Sequence, residues 1–237
     1  MTYQSNFKRY ELKYILTARQ KEEMVRAMSP YMSLDDYGLT TIRNLYFDTD
    51  NYRLVRHSIE RPAYKEKLRI RSYKKALMDE MVFVELKKKY KSVVYKRRLA
   101  VPQRQALDCL REGTAFENRC QIAGEIEYFR SYYGALCPVV FLSYDREAFY
   151  SLDESDFRVT FDRNILCRQH GLTLDRDIGG IPILSGDMAL MEIKTSGGIP
   201  LWMTRQLTAM RLFKTSFSKY GTAYERIIFP ERSLLYA

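Results

Sequence analysis

Cysteine and histidine are scarce in this chain of 237 residues, with four of one and two of the other. Cys109, Cys120, Cys137 and Cys167 form no CxxC pair and no zinc-site spacing, so they read as free thiols of a reducing compartment. His57 and His170 have no partner at metal-ligand spacing and read as structural or exposed. Neither GxxxxGK[ST] nor GxGxxG occurs, which argues against a P-loop or Rossmann nucleotide site. GxSxG is missing too, so an enzyme built on this chain is expected to work without a side-chain nucleophile. The opening stretch MTYQSNFKRYELK has no apolar core of the signal-peptide kind, and no apolar run approaches bilayer length. No Pro, Gly or Ser tract looks like a linker. These absences predict one domain spanning 1–237 in the cytoplasm, with association to a membrane through a separately encoded protein left open.

What the chain does have is positive charge. Its formal net charge is +10 and 46% of its residues are hydrophobic, enough for a core. Such a balance calls for an anionic ligand. Nucleic acid is the default for a basic protein. Here, however, the cations follow strand parity and do not gather in a helix, an arm or a tail. No zinc-finger, RNP or KH signature occurs, so nucleic acid is disfavoured.

In YKEKLRIRSY, Lys65, Lys67, Arg69 and Arg71 alternate with other residues, so a strand carries all four on one face. The pattern recurs. MVFVELKKK sets Glu85, Lys87 and Lys89 against Val82, Val84 and Leu86, and VVYKRRLAV sets Lys96 and Arg98 against Tyr95, Leu99 and Val101. Only Arg97 breaks the apolar side there. FKRYELKYIL places Arg9, Glu11 and Lys13 together, FLSYDREAF pairs Tyr144 with Arg146, DFRVTFDR shows Arg158, Thr160 and Asp162, and ALMEIKT shows Glu192 and Lys194. Each reads as a strand with one apolar and one cation-rich face. Like charges on neighbouring strands repel. A sheet tolerates them best with an anion among them.

Two architectures satisfy this pattern: an open sheet with a basic surface, or a barrel with a charged lumen and an apolar exterior under helices. The chain supplies covering helices. One begins after Thr17, a plausible N-cap, with Met24, Val25 and Met28 as its stripe; a second runs from Pro102 to Gly113. Further stripes are Ile122, Ile126 and Phe129, then Met203, Leu207 and Met210, then a short last helix through Tyr224, Ile227 and Ile228. With no nucleophile in prospect, phosphoryl transfer suits these cations, since its catalysis is mostly positioning and charge neutralisation. A divalent metal bridging phosphates needs a carboxylate. Glu192, Glu85, Glu11 and Asp162 share parity with the basic rows, and each could be a metal ligand or a counterion.

RYELKY, LYFDT, KLRIRSY, VFVELKKK, VVYKRR, SYDREAF, RVTFDRN, MEIK and SFSKY follow one another in this order. The ordered set resembles the VTC-type polyphosphate polymerase domain of the CYTH/triphosphate tunnel metalloenzyme superfamily, over nearly the whole chain. The resemblance implies an α+β fold: an eight-stranded antiparallel barrel with a basic polar lumen and helices packed outside. It also implies transfer of the γ-phosphate of ATP to a growing polyphosphate chain with Mn²⁺ or Mg²⁺. Carried over by position, Lys13, Arg69, Arg71, Lys87, Lys96, Tyr144, Arg146 and Arg158 resemble phosphate ligands. Glu192 resembles the metal ligand, and Ser218 with Lys219 a further phosphate contact near one mouth. Ser216 stands where catalytic members often carry a basic residue.

The expected catalytic set is therefore Arg69, Arg71, Lys87, Arg146 and Glu192. Parity adds Arg9, Lys67, Lys89, Arg98 and Lys194 as phosphate-binding candidates, and Glu11 or Glu85 as alternatives for the metal. A triphosphatase or nucleoside triphosphatase of the same fold, and a non-catalytic module binding polyphosphate or RNA, are the competing readings.

Overall fold

A computed structural model of the chain describes residues 6–91, 93–153 and 155–231, the side chains of residues 6–9 excepted. Among the described residues ten strands form one antiparallel sheet, so the expectation of eight is corrected. They are β1 (Asn6–Thr17), β2 (Met32–Leu34), β3 (Thr40–Asp48), β4 (Tyr64–Ser72), β5 (Met81–Tyr90), β6 (Val93–Pro102), β7 (Cys137–Ser151), β8 (Arg158–Arg168), β9 (Ile181–Pro182) and β10 (Met188–Thr195). The order is β2-β7-β3-β4-β5-β6-β1-β10-β8-β9. Strands β7 and β8 also pair, from Phe141 opposite Arg168 to Tyr150 opposite Arg158. Eight strands are thereby linked in a circuit of ladders. The short β2 and β9 are the additions, each hydrogen-bonded to one long neighbour.

Among the described residues six α-helices accompany the sheet: α1 (Ala18–Met28), α2 (Arg53–Ile59), α3 (Gln103–Leu107), α4 (Gln121–Tyr133), α5 (Leu201–Ala209) and α6 (Lys219–Ala223). Helices α3 and α6 continue as single π-helical turns, Asp108–Glu112 and Tyr224–Ile228. The Thr17 cap forms as expected: its hydroxyl accepts the Gln20 N–H and the Gln20 side chain returns to the Thr17 N–H. The Pro102 segment ends at Gly113, whose φ of 83° suits a residue without Cβ. Helix α2 was not expected. Its Tyr52 cap residue has φ 59° and no capping side-chain bond. Asp48 of LYFDT supplies the acceptors instead, taking the N–H groups of Leu54 at 2.8 Å and Val55 at 3.0 Å.

The core lies between the sheet's apolar face and these helices. Met24 and Met28 of α1 and Met203 and Leu207 of α5 pack with Leu16, Phe161 and Ile193. Ile126 and Phe129 of α4 pack with Leu68, Val84 and Leu86, while α6 and the turn after it bring Tyr220 and Ile228 against Ile42 and Leu142. Each such buried side chain contributes about 1.5–3 kcal/mol relative to exposure. Arg97, the break in the apolar pattern, meets Glu125 of α4 at 3.1 Å. No helix among the described residues is long and apolar enough to cross a membrane.

Candidate functional site

Because the apolar parity of each strand is spent on the helices, the opposite parity faces inward together. There it lines a cavity of about 1410 Å³. Among the described residues, fourteen lysines and arginines line it, against three carboxylates, Glu11, Asp35 and Glu192. Two buried carboxylates beneath this lining organise six of the cations.

The first is Glu85, which is 0% exposed. Arg69 donates to it at 2.7 and 2.9 Å, Arg98 at 2.6 and 2.8 Å, and Lys96 approaches to 3.5 Å and Arg71 to 3.7 Å. Register explains the gathering, since Glu85 lies opposite Arg69 on β4 and opposite Arg98 on β6. The outer ends of the guanidiniums are fixed as well: Arg69 donates to the Tyr46 hydroxyl, Arg71 to Asn44 Oδ1 and the Tyr144 hydroxyl, and Arg98 to the Tyr73 hydroxyl. Burial alone would raise the Glu85 carboxyl, but Arg71, Arg69, Lys96 and Arg98 together hold it well below the usual carboxylate range. Burial pushes Lys96 down to about 6 despite Glu85 beside it.

The second is Asp162, also 0% exposed, with Arg146 at 2.6 and 2.7 Å and Lys219 at 2.5 Å. Glu192 lies on the lining above it, reached by Lys194 at 3.0 Å, Arg146 and Lys219 at 3.3 Å and Lys13 at 3.5 Å. Burial opposes its charge, yet Lys219, Lys194, Lys13 and Arg146 keep it ionised far below the ordinary range. Lys194 is lowered by burial to about 8, whereas Asp162 and Glu192 outweigh burial at Lys219 and raise it.

A third group is short of anions. Lys67 donates to the Ser218 hydroxyl at 2.7 Å, and no described carboxylate pairs with it. Burial, followed by Lys13, Lys87, Lys65 and Arg69, pushes its ammonium well below the ordinary lysine value. Lys87 holds Glu11 at 2.7 Å, and despite burial that contact helps depress the Glu11 carboxyl to about 2. Lys65 and Lys89 face one another in register.

The cavity thus gathers Arg69, Arg71, Lys87, Arg146 and Glu192 with Lys13, Lys67, Lys89, Lys96, Arg98, Tyr144, Arg158, Lys194, Ser218 and Lys219. The side chain of Arg9 lies outside the described ones, although its backbone pairs with Val94. Glu85 is a counterion beneath the lining: its oxygens are occupied by cations. Ser216 lines the cavity together with Lys214. Sequence reasoning missed Asn44 and Tyr46, whose alternation in IRNLYFD resembles the basic rows but carries no charge. It also missed Tyr73 and Asp35.

The VTC domain family matches residues 8–228. The chain belongs to the VTC domain family. A Bacillus halodurans protein named as a candidate adenylate cyclase is similar to this VTC domain in fold, with a TM-score of 0.56 and 13% identity over 91% of this chain and 96% of its own. The PH1819 protein of Pyrococcus horikoshii aligns with a TM-score of 0.47 and 12% identity over 93% and 99% of the two chains. No curated protein sequence matches.

For a metal, the VTC domain offers little protein: no group of three or more His, Cys, Asp or Glu side chains among the described residues could hold one. One or two carboxylates facing a phosphate site nevertheless suit Mg²⁺ or Mn²⁺, which keep water and substrate phosphate as their remaining ligands. Glu192 and Glu11 are the carboxylates of the central lining that could serve in this way.

Proposed function

We propose that this VTC domain is a polyphosphate polymerase, transferring the γ-phosphate of ATP to the end of an inorganic polyphosphate chain inside the basic tunnel. The observation that carries this reading is the fourteen-to-three excess of cations over carboxylates along one cavity lining. A small anion carries far less charge than this excess, and a triphosphate together with a polyphosphate chain carries more of it. Arg69, Arg71, Lys87 and Arg146 orient the phosphates and stabilise charge as it spreads over the transferring group. Their preorganisation by Glu85, Asp162, Tyr144 and, for Lys87, Glu11 means that little rearrangement accompanies the reaction.

The acceptor oxygen attacks the γ-phosphorus in line. One P–O bond forms, the bond to the β-phosphate's bridging oxygen breaks, and ADP leaves with that electron pair. A terminal phosphate acceptor is already anionic and needs no base. Attack by water does need one, and Glu11 and Glu192, both held ionised at low pKa, are weak bases for it. Glu192 would hold a divalent ion such as Mn²⁺ or Mg²⁺, whose chemistry there would be neutralisation of phosphate charge.

Incubation with ATP and Mn²⁺, with and without a short polyphosphate primer, tests the proposal on a polyphosphate gel. A ladder of growing chains is expected. Free phosphate without chains identifies a triphosphatase, and binding with neither product identifies a sensor.

A further inference from the structure

The cavity differs in chemistry between its ends. Strand β4 shows the gradient: Lys65 and Lys67 begin it, Arg69 and Arg71 follow, and Tyr73 lies just past its end. On β5, Lys89 lies opposite Lys65 and Phe83 opposite Arg71. One end is therefore lysine-lined and the other aromatic. Since Arg43 pairs with Ser72, the start of β3 and the loop before it, residues 35–39, extend past β4 at the aromatic end.

That loop carries Asp35 and Tyr37, both on the lining. Asp35 is fixed by its N–H, which donates to Ala148 O at 2.8 Å. Its carboxyl receives backbone N–H bonds from Tyr37 and Gly38, but Oδ1 is buried and has no hydrogen-bond partner of its own. Tyr37 leaves 74% of its surface exposed although it borders a cavity able to cover it. Across the same end, the Arg158 guanidinium lies 4.5 Å over the Tyr150 ring and that of Arg98 4.6 Å over Phe83, so further flat surfaces are already in place. An unpaired carboxylate oxygen repels phosphate and is satisfied by a hydrogen-bond donor, which an amino group supplies. Among the described residues Asp35 belongs to no group of three or more His, Cys, Asp or Glu side chains that could hold a metal ion. An aromatic heterocycle bearing an amino group meets both conditions, stacking on the exposed ring while donating to the carboxylate.

We propose that Tyr37 and Asp35 form a nucleobase subsite at the aromatic end, which selects a nucleoside triphosphate with an amino-bearing base over inorganic triphosphate. The proposal deepens the polymerase reading and rests on it for the placement of the triphosphate among the central arginines. The phosphates then run from Arg146 toward the lysine end.

The test is titration calorimetry of the intact chain with ATP, purine riboside triphosphate and inorganic triphosphate, without turnover. ATP is expected to bind about tenfold more tightly than inorganic triphosphate, the scale of one stacked base. Tyr37→Ala should erase that advantage while leaving inorganic triphosphate unchanged. Asp35→Ala should erase the preference for ATP over purine riboside triphosphate, which lacks the amino group. Equal binding of ATP and inorganic triphosphate by the wild type, or equal weakening of all three ligands in both variants, overturns the subsite. Absence of chain synthesis with the base preference intact overturns the polymerase alone.

Discussion

Arg69 and Glu85 face each other across the β4–β5 ladder, guanidinium to carboxylate at 2.7 Å, with the carboxylate fully removed from solvent. A single buried anion thereby secures a row of cations that would otherwise repel. Breaking a buried pair from one side typically costs about 3–5 kcal/mol, because the partner is left charged and unpaired. Glu85→Gln should lower stability by about that amount in urea denaturation, and inorganic triphosphate should restore part of the loss by taking over as counterion. A variant within about 0.5 kcal/mol of the wild type would mean that the four cations do not depend on Glu85.

Glu192 has a different neighbourhood, with four cations around it but a place on the lining. Glu192→Gln removes the carboxylate assigned to the metal, so chain synthesis should fall by about 10²–10³-fold, as when one transition-state contact is lost. Binding of inorganic triphosphate without metal should hold or tighten, since a like charge has gone. The comparison needs a turnover assay beside calorimetry. Full turnover in this variant would remove Glu192 from the reaction.

Proton uptake gives a check that needs no substitution. Lys96 and Lys194 have folded values of about 6 and about 8, against 10.5 for an ordinary lysine. From those values upward the unfolded chain holds more protons than the folded one, so these lysines favour folding increasingly as pH rises. The ligand-free protein should therefore melt higher at about pH 9 than at about pH 7. A bound triphosphate reverses the balance by favouring the charged ammonium. At about pH 8.5, where phosphate monoesters are fully ionised, its binding should take up protons and weaken as pH increases. Calorimetry in buffers of different ionisation enthalpy reads the uptake directly, and a value of zero would show that the lysines stay charged in the empty cavity.

The inward faces were legible because strand parity is a strict rule: once Lys65, Lys67, Arg69 and Arg71 share a side, the backbone leaves them no alternative. The covering helices were legible from their Met and Leu stripes, and Thr17 from its capping pattern. Partner assignment was less accessible. Glu85, Glu11 and Glu192 have the same parity and the same chemistry in sequence, and only cross-strand register makes Glu85 a counterion while Glu192 reaches the lining. Helix α2 was hidden because its capping acceptor, Asp48, lies in the preceding strand and its own cap residue adopts a left-handed conformation. Asp35 and Tyr37 sit in a loop, where no periodicity announces the direction of a side chain. Arg97 looked like a defect in an apolar row until α4 brought Glu125 against it.

Lys67 offers the sharpest separation between stability and function. Its ammonium is buried among Lys13, Lys87, Lys65 and Arg69 and has the Ser218 hydroxyl as its described hydrogen-bond partner. In the empty protein this is a strained arrangement, with charge opposed by both burial and neighbours. Lys67→Met keeps the length and apolar stem while removing the charge. The ligand-free variant should gain about 1 kcal/mol, raising Tm by about 2–4 °C for a chain of this size. With triphosphate present the sign should reverse, since a charge-assisted contact of about 1.5–3 kcal/mol is gone and affinity falls with it. Melting curves with and without inorganic triphosphate should therefore cross between wild type and variant. If Lys67→Met were less stable in both conditions, the lysine would be part of the scaffold and not a ligand-binding charge. If it bound triphosphate normally, the anion would lie elsewhere along the lining.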